Sequence, residues 1–248
     1  MTNEQNEAVV GDAFGAMLLD YLEGRAAGGL LLEVDDGQVA PAMVAGDFFL
    51  PPEAWPEIER AALRAVRGRV LDLGCGAGRH ALHFQAAGHN VVAIDASPGA
   101  VEVARRRGVK EVWLADLTAL PEDLCGFDTV LMLCGNMGLG GEPARTRALL
   151  VDLWRRTVPG AVLIGDTVDP TSWTSSPRQP ETSSKYSADH PPGLVRIRLR
   201  YGNLVTPWFL LYNIARDALD GVLAGTGWRL LASYGEGDDY SVVLERLD

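Results

Sequence analysis

The chain has 248 residues, 47% of them hydrophobic and 22% charged, which suits one large α/β domain with an appended part and excludes a disordered chain. Its 22 Lys and Arg stand against 33 Asp and Glu, a formal net charge of −11, so nucleic acid is not the expected partner. No stretch approaches ~18 uninterrupted apolar residues, so no membrane partner is expected either. Met1–Val10 has neither a basic nor an apolar signal region, and Cys75, Cys125 and Cys134 lack Cys-x-x-Cys spacing. The expectation is a cytoplasmic protein with reduced thiols and no metal site, acting on a small molecule, with a homodimer as its candidate assembly.

In chain order, apolar residues from Val9 to Leu22 recur at helical spacing and predict a helix over 5–24. A short strand at 30–34 and a turn at Asp35-Asp36-Gly37 follow. Pro51-Pro52 opens a second helix over 52–67. Strands and helices then alternate: strand 69–73, helix 79–87, strand 90–94, helix 98–107 capped by Ser97, strand 111–114, strand 127–133, helix 142–157 and strand 161–166. That rhythm predicts a parallel sheet covered by helices. Residues 170–192 are rich in Ser, Thr and Pro and read as a loop or lid. Two runs over 194–201 and 204–212, joined at Gly202-Asn203, predict a β-hairpin. A helix over 215–224 and strands 228–233 and 240–245 complete the chain. The densest basic cluster, Arg105, Arg106, Arg107 and Lys110, reads as a solvated helix face.

Val70-Leu71-Asp72-Leu73-Gly74-Cys75-Gly76-Ala77-Gly78-Arg79 is a strand, a glycine-rich turn and a helix start. Glycines there let the backbone turn sharply and a ligand approach it, and the helix offers free N–H groups. The dinucleotide fingerprint requires a small residue where Arg79 stands, so the spacing departs from it. Asp95 closes the second strand at a distance suited to ribose hydroxyls. Asp116 follows the third strand, where it can accept from an exocyclic amine while Leu117 covers an adenine face; a solvated loop Asp beside a core Leu is an equal reading of the spacing.

Together with Phe127-Asp128-Thr129-Val130, these ordered motifs resemble the class I S-adenosylmethionine-dependent methyltransferases over about residues 68–168. The resemblance implies a seven-stranded, mostly parallel Rossmann-like sheet with an antiparallel last strand. It implies that Gly74, Cys75, Gly76 and Gly78 cradle the methionyl part of S-adenosylmethionine, that Asp72 helps hold its ammonium, and that Asp95 with Ala96 takes the ribose. Asp116, Leu117 and Leu133 would complete the cofactor site. Around it, residues 1–67 would form an N-terminal helical lid, and 68–248 the methyltransferase domain with a hairpin insertion at about 170–212. The finer resemblance is to small-molecule methyltransferases of actinobacteria, carried by Gly135-Asn136-Met137-Gly138-Leu139, Arg198-Leu199-Arg200-Tyr201 and Thr206-Pro207-Trp208-Phe209.

Methyl transfer from a sulfonium is an in-line displacement that needs alignment and, for some acceptors, a base, but no metal. Tyr21, His190 and Asn136 are the candidates for catalysis. Phe48, Trp55, Asn136, Tyr186 and Trp208 are the candidates for the acceptor pocket, whose aromatic content suits a flat indole- or phenol-like molecule. Asp166 and Asp169 follow the fifth strand as weaker candidates for the base. His80 and His83 read as packed or surface histidines rather than ligands. Arg196, Arg198 and Arg200 share a strand face, either solvated or aimed at a substrate carboxylate. Two other readings stay open on the sequence: a nicotinamide-dependent oxidoreductase, and a module that binds S-adenosylmethionine without catalysis.

Overall fold

The computed structural model describes residues 8–25, 28–171 and 191–248. The N-terminal part carries β1 (Val9–Val10), α1 (Ala13–Leu22), β2 (Gly29–Val34), β3 (Val39–Val44) and α2 (Glu57–Ala62). The middle carries β4 (Val70–Leu73), α3 (Arg79–Ala86), β5 (Val91–Asp95), α4 (Pro98–Arg107), β6 (Val112–Leu114), β7 (Phe127–Met132), α5 (Pro143–Arg156) and β8 (Thr157–Val168). The C-terminal part adds β9 (Leu194–Tyr201), β10 (Leu204–Val205), β11 (Phe209–Tyr212), α6 (Leu219–Leu223), β12 (Trp228–Tyr234) and β13 (Asp239–Arg246).

Seven strands form the central sheet in the order β12-β13-β8-β7-β4-β5-β6. β6, β5, β4, β7 and β8 are parallel to one another, and β13 runs antiparallel to both neighbours. The expected α/β architecture with an antiparallel last strand is therefore present. The strands read as continuous apolar runs because helices cover both faces. In β4 the period of two sends Leu71 and Leu73 to one face, against Leu149, Leu150 and Leu153 of α5. Val70 faces the other way, toward Ala81 and Phe84 of α3. Each of those buried leucines contributes about 1.5–3 kcal/mol.

A second sheet lies outside this plan, in the order β1-β10-β9-β2-β3, with β11 also paired to β9. The expected lid was helical and the expected hairpin separate; alongside α1 and α2, the strands of the two segments share one sheet, joined where β2 pairs antiparallel with β9. Glu33 of β2 accepts from Arg198 at 2.6 Å and also pairs with Arg200. The Arg200 guanidinium, with burial opposing it and Arg198 adding to it, holds the Glu33 carboxyl below the usual carboxylate range. Arg198 and Arg200 therefore serve the sheet.

Two helix expectations change. Val9 and Val10 pair with β10, and α1 starts only after Asp12, whose side chain accepts from Gly15 N at 2.8 Å. The helix expected over 52–67 is a 3₁₀ turn at Pro52–Ala54, α2, and a second 3₁₀ turn at Leu63–Ala65. Pro56 causes the break, because the residue before a proline is pushed out of the helical region and Trp55 is extended at ψ 152°.

Asp12 also fixes α1 to the central domain. Its carboxylate accepts from Ser97 Oγ and Gly99 N, each at 2.8 Å, so one side chain caps both α1 and α4. The helices touch at Gly15 and Gly99, where a Cβ on either would lie 2.6 Å from the other's Cα.

Candidate active site

A cavity of about 850 Å³ opens at the carboxyl ends of β4, β5, β6 and β7, under the second sheet. Gly74, Asp95, Ala96, Asp116 and Leu117, the expected cofactor contacts, border it together with Phe48, Asn136 and Trp208. Gly74 must be glycine: its φ is +73°, and a Cβ would lie 2.3 Å from Asn136 Nδ2.

The rest of the loop works from behind. Gly76 N donates to Asp95 Oδ2 at 2.8 Å. Gly78 has φ +77°, and a Cβ there would lie 2.6 Å from Val109. Cys75 is buried among Ala81, Val101 and their neighbours, and burial pushes its thiol well above the ordinary value. Of the cradle expected from Gly74, Cys75, Gly76 and Gly78, only Gly74 borders the cavity. Leu133 is likewise core rather than wall, 2% exposed in the same cluster.

Asp95 ends β5 and is 8% exposed. Its second oxygen, Oδ1, accepts from Ser97 N at 2.8 Å. Burial pushes its pKa up to about 6; the two backbone N–H groups oppose that rise, and nearby Asp12 and Asp72 add to it. Two backbone N–H groups therefore fix the carboxylate at the cavity wall, leaving acceptor capacity for a pair of hydroxyls. Asp116 is exposed where it borders the cavity after the adjacent strand β6, with Oδ1 accepting from Thr118 N at 2.8 Å and Thr118 Oγ1 at 2.7 Å.

Asp72 does not border the cavity, because strand alternation turns it under the loop toward α3. Burial raises its pKa, and its Oδ2 has no hydrogen-bond partner. Direct contact with a methionyl ammonium is therefore not its place.

Asn136 follows β7 and donates through Nδ2 to Leu73 O at 2.9 Å and Gly74 O at 3.2 Å. It staples the glycine turn to the β7 loop and has no proton to exchange, so its part is positioning rather than acid–base catalysis. Tyr21 borders neither cavity: it is 44% exposed, with its ring 4.6 Å from Phe49. Phe14 of α1 and its capping residue Asp12 do reach the cavity. Trp55 is also displaced from its expected role. It is a packing residue, 4% exposed, donating to Leu50 O at 3.0 Å and lying edge-on to His80 and His83. His80 contacts Glu59 at 3.0 Å through Nε2. Trp208 lies under Arg198 and Arg196, 4.6 and 5.6 Å from its ring centre. Tyr186 and His190 lie outside the described residues.

The sequence reading missed a second cavity of about 790 Å³. Phe48, Cys134 and Gly135 are among the residues that border both cavities. Cys134 has φ +62°, the one positive φ outside glycine among the described residues. Asp166 of β8 holds this turn by accepting from Cys134 N at 3.0 Å and from Gly135 N. Burial pushes the Asp166 pKa up to about 6 against those two hydrogen bonds. Arg79 pairs with Glu59 at 2.6 Å, both buried, and the same guanidinium nitrogen donates to Cys134 Sγ at 3.4 Å. The only sequence signal for Asp166 was its place at the end of a strand. Asp12 carried a clearer one, a capping residue after Gly11.

Residues 70–160 match the family described as "Methyltransferase domain". The S-adenosylmethionine-dependent methyltransferase of Bacteroides fragilis, solved with S-adenosyl-L-homocysteine, superposes at a TM-score of 0.80 with 24% identity, covering 99% of this chain and 100% of that one. The demethylmenaquinone methyltransferase of Renibacterium salmoninarum is 36% identical over 44% of this chain and 46% of its own length. The malonyl-[acyl-carrier protein] O-methyltransferase of Yersinia pestis is 29% identical over 40% of this chain and 36% of its own length. The chain thus spans less than half the length of these curated relatives.

Proposed function

We propose that this chain is a class I S-adenosylmethionine-dependent methyltransferase and that it methylates a small acceptor, aromatic or heteroaromatic and of natural-product type, at carbon, oxygen or nitrogen. The observation that carries the proposal is the order of Gly74, Asp95 and the Asp116-Leu117 pair along one wall, at the carboxyl ends of three adjacent parallel strands. S-adenosylmethionine supplies an electrophilic methyl group on a sulfonium. Asp95 holds the ribose hydroxyls, Asp116 and Leu117 take the adenine, and Gly74 lets the remainder lie against the backbone. The Cys134–Gly135 turn stands where the donor side meets the second cavity, and aligns the acceptor for in-line attack. The second sheet and α1 act as the cap that excludes water, so the described parts of residues 1–67 and of about 170–212 form one functional unit over the rest of the 68–248 domain. Phe48, Phe14 and Trp208 give the wall its aromatic surface. The acidic net charge of −11 favours a small molecule over nucleic acid.

Calorimetric titration with S-adenosylhomocysteine and with NADH tests the donor. Saturable binding of S-adenosylhomocysteine alone is expected; binding of NADH alone contradicts the reading and favours an oxidoreductase. Incubation with labelled S-adenosylmethionine and aromatic acceptors then separates an enzyme from a cofactor-binding module.

A further inference from the structure

Asp166 stands behind the turn that separates the two cavities and faces the second one. Among the described residues no Lys, Arg or His side chain pairs with it. The charged and titratable groups lining that cavity are Glu59 on α2, Arg79 on α3, Asp47, Asp239 on β13 and the Cys134 thiol, with His80 of α3 behind Glu59. Both Arg79 and His80 are engaged by Glu59, so the cavity presents uncompensated negative charge at Asp166. Much of the remaining wall is apolar, including Leu32, Val34, Ile197 and Leu211. A ligand that satisfies this surface carries a cation on an apolar body.

We infer that the second cavity takes the methyl acceptor as a primary or secondary amine, and that Asp166 binds its ammonium and removes the proton. The inference rests on the methyl-donor reading above. The ammonium N–H bond breaks, with the proton going to an Asp166 oxygen and the electron pair staying on nitrogen. The neutral amine then forms the new N–CH₃ bond as the C–S bond of the donor breaks and its pair returns to sulfur. A methylammonium product and a neutral thioether result, and Asp166 returns its proton to water. With its pKa raised by burial to about 6, the carboxylate is ionised at neutral pH and yet basic enough to hold a proton in passing. The Cys134 and Gly135 N–H groups fix its direction, and so couple the amine's position to the turn bordering the donor cavity.

The test uses benzylamine, with benzyl alcohol and phenol as uncharged comparators, on protein saturated with S-adenosylhomocysteine at pH 7.5. Benzylamine should bind about tenfold or more tightly than benzyl alcohol, and Asp166→Asn should abolish that preference. Labelled methyl should pass from S-adenosylmethionine to benzylamine, with kcat/KM about 100-fold lower in Asp166→Asn and an acid limb near pH 6 in the wild type. Asn places a donor against one of two backbone N–H groups, so S-adenosylhomocysteine affinity in the variant reports whether the turn survives. If it does not, the wild-type preference for benzylamine decides alone. Equal binding of benzyl alcohol, transfer to phenol but not benzylamine, or no transfer to benzylamine overturns the amine reading while leaving the donor intact. Failure of S-adenosylhomocysteine to bind at all overturns the donor reading first.

Discussion

The two sides of the proposed site are built in different ways. The donor side comes from one continuous segment, Val70 to Leu117, in which three parallel strands deliver Gly74, Asp95 and Asp116 to a common edge. Its partners are mostly backbone groups a few residues away, as in the Gly76 and Ser97 N–H bonds to Asp95. The acceptor side is assembled from β2, β3, the β7 turn, β8, β9 and β11, which meet only after the chain has folded. A site made of local geometry tolerates little change of residue type. A site made by docking two sheets can exchange its lining while keeping the donor, consistent with a family match confined to residues 70–160.

The largest expected effect on donor binding falls on Asp95. Asp95→Ala should weaken S-adenosylhomocysteine binding by about 2 kcal/mol or more, about 30-fold, because charge-assisted hydrogen bonds to the ribose are lost. Calorimetry checks this, and an unchanged affinity would place the ribose elsewhere. The docking of the cap comes next. Gly15→Ala puts a Cβ 2.6 Å from the Gly99 backbone and should cost about 1–3 kcal/mol by overpacking, read as a lower chemical-denaturation midpoint. No loss would mean that α1 does not pack on α4.

A pH titration separates the two sides further. The raised Asp95 pKa means the ionised form is present above about 6 and is progressively lost below it. The protonated acid accepts less well from two hydroxyls, so S-adenosylhomocysteine affinity should fall about tenfold between pH 8 and pH 5. The fold itself responds with the opposite sign: a raised carboxyl pKa contributes stability below its unfolded value and loses it as pH rises through about 6. The Asp95→Ala variant should show a flatter affinity profile; a profile as steep as the wild type's would assign the titration to another group. The smallest effect belongs to Tyr21→Phe, which should change turnover less than about twofold because the hydroxyl faces Gly46 rather than a cavity. A large loss would restore Tyr21 as a proton acceptor.

The same contrast explains what the sequence could reveal. The apolar strands β4, β5 and β7, the Ser97-Pro98 helix start and the Asp95 and Asp116 positions were all legible, because each depends on neighbours along the chain. β3 was not, since Pro41 breaks the strand signal and is tolerated only because β3 is an edge strand. Leu133, Cys75 and Trp55 were placed by motif or residue type, whereas strand alternation and helix packing bury them. Tyr21 has the chemistry of a proton acceptor but lies two turns along α1 from Phe14, against Phe49 and Gly46 and away from both cavities. Asp166 was hard to single out, because its importance comes from a turn 32 residues earlier that it holds by two backbone hydrogen bonds. The glycine loop keeps its central place, although it acts mainly by positioning Asp95 and yielding space at Gly74.

A crystal structure of the protein with S-adenosylhomocysteine tests the division between the two sides most directly. The ribose should lie on Asp95, the adenine beside Asp116 and Leu117, and the sulfur at the Cys134–Gly135 turn with the second cavity left open beyond it. A ribose bound in the second cavity, or a sulfur directed away from that turn, would contradict the account.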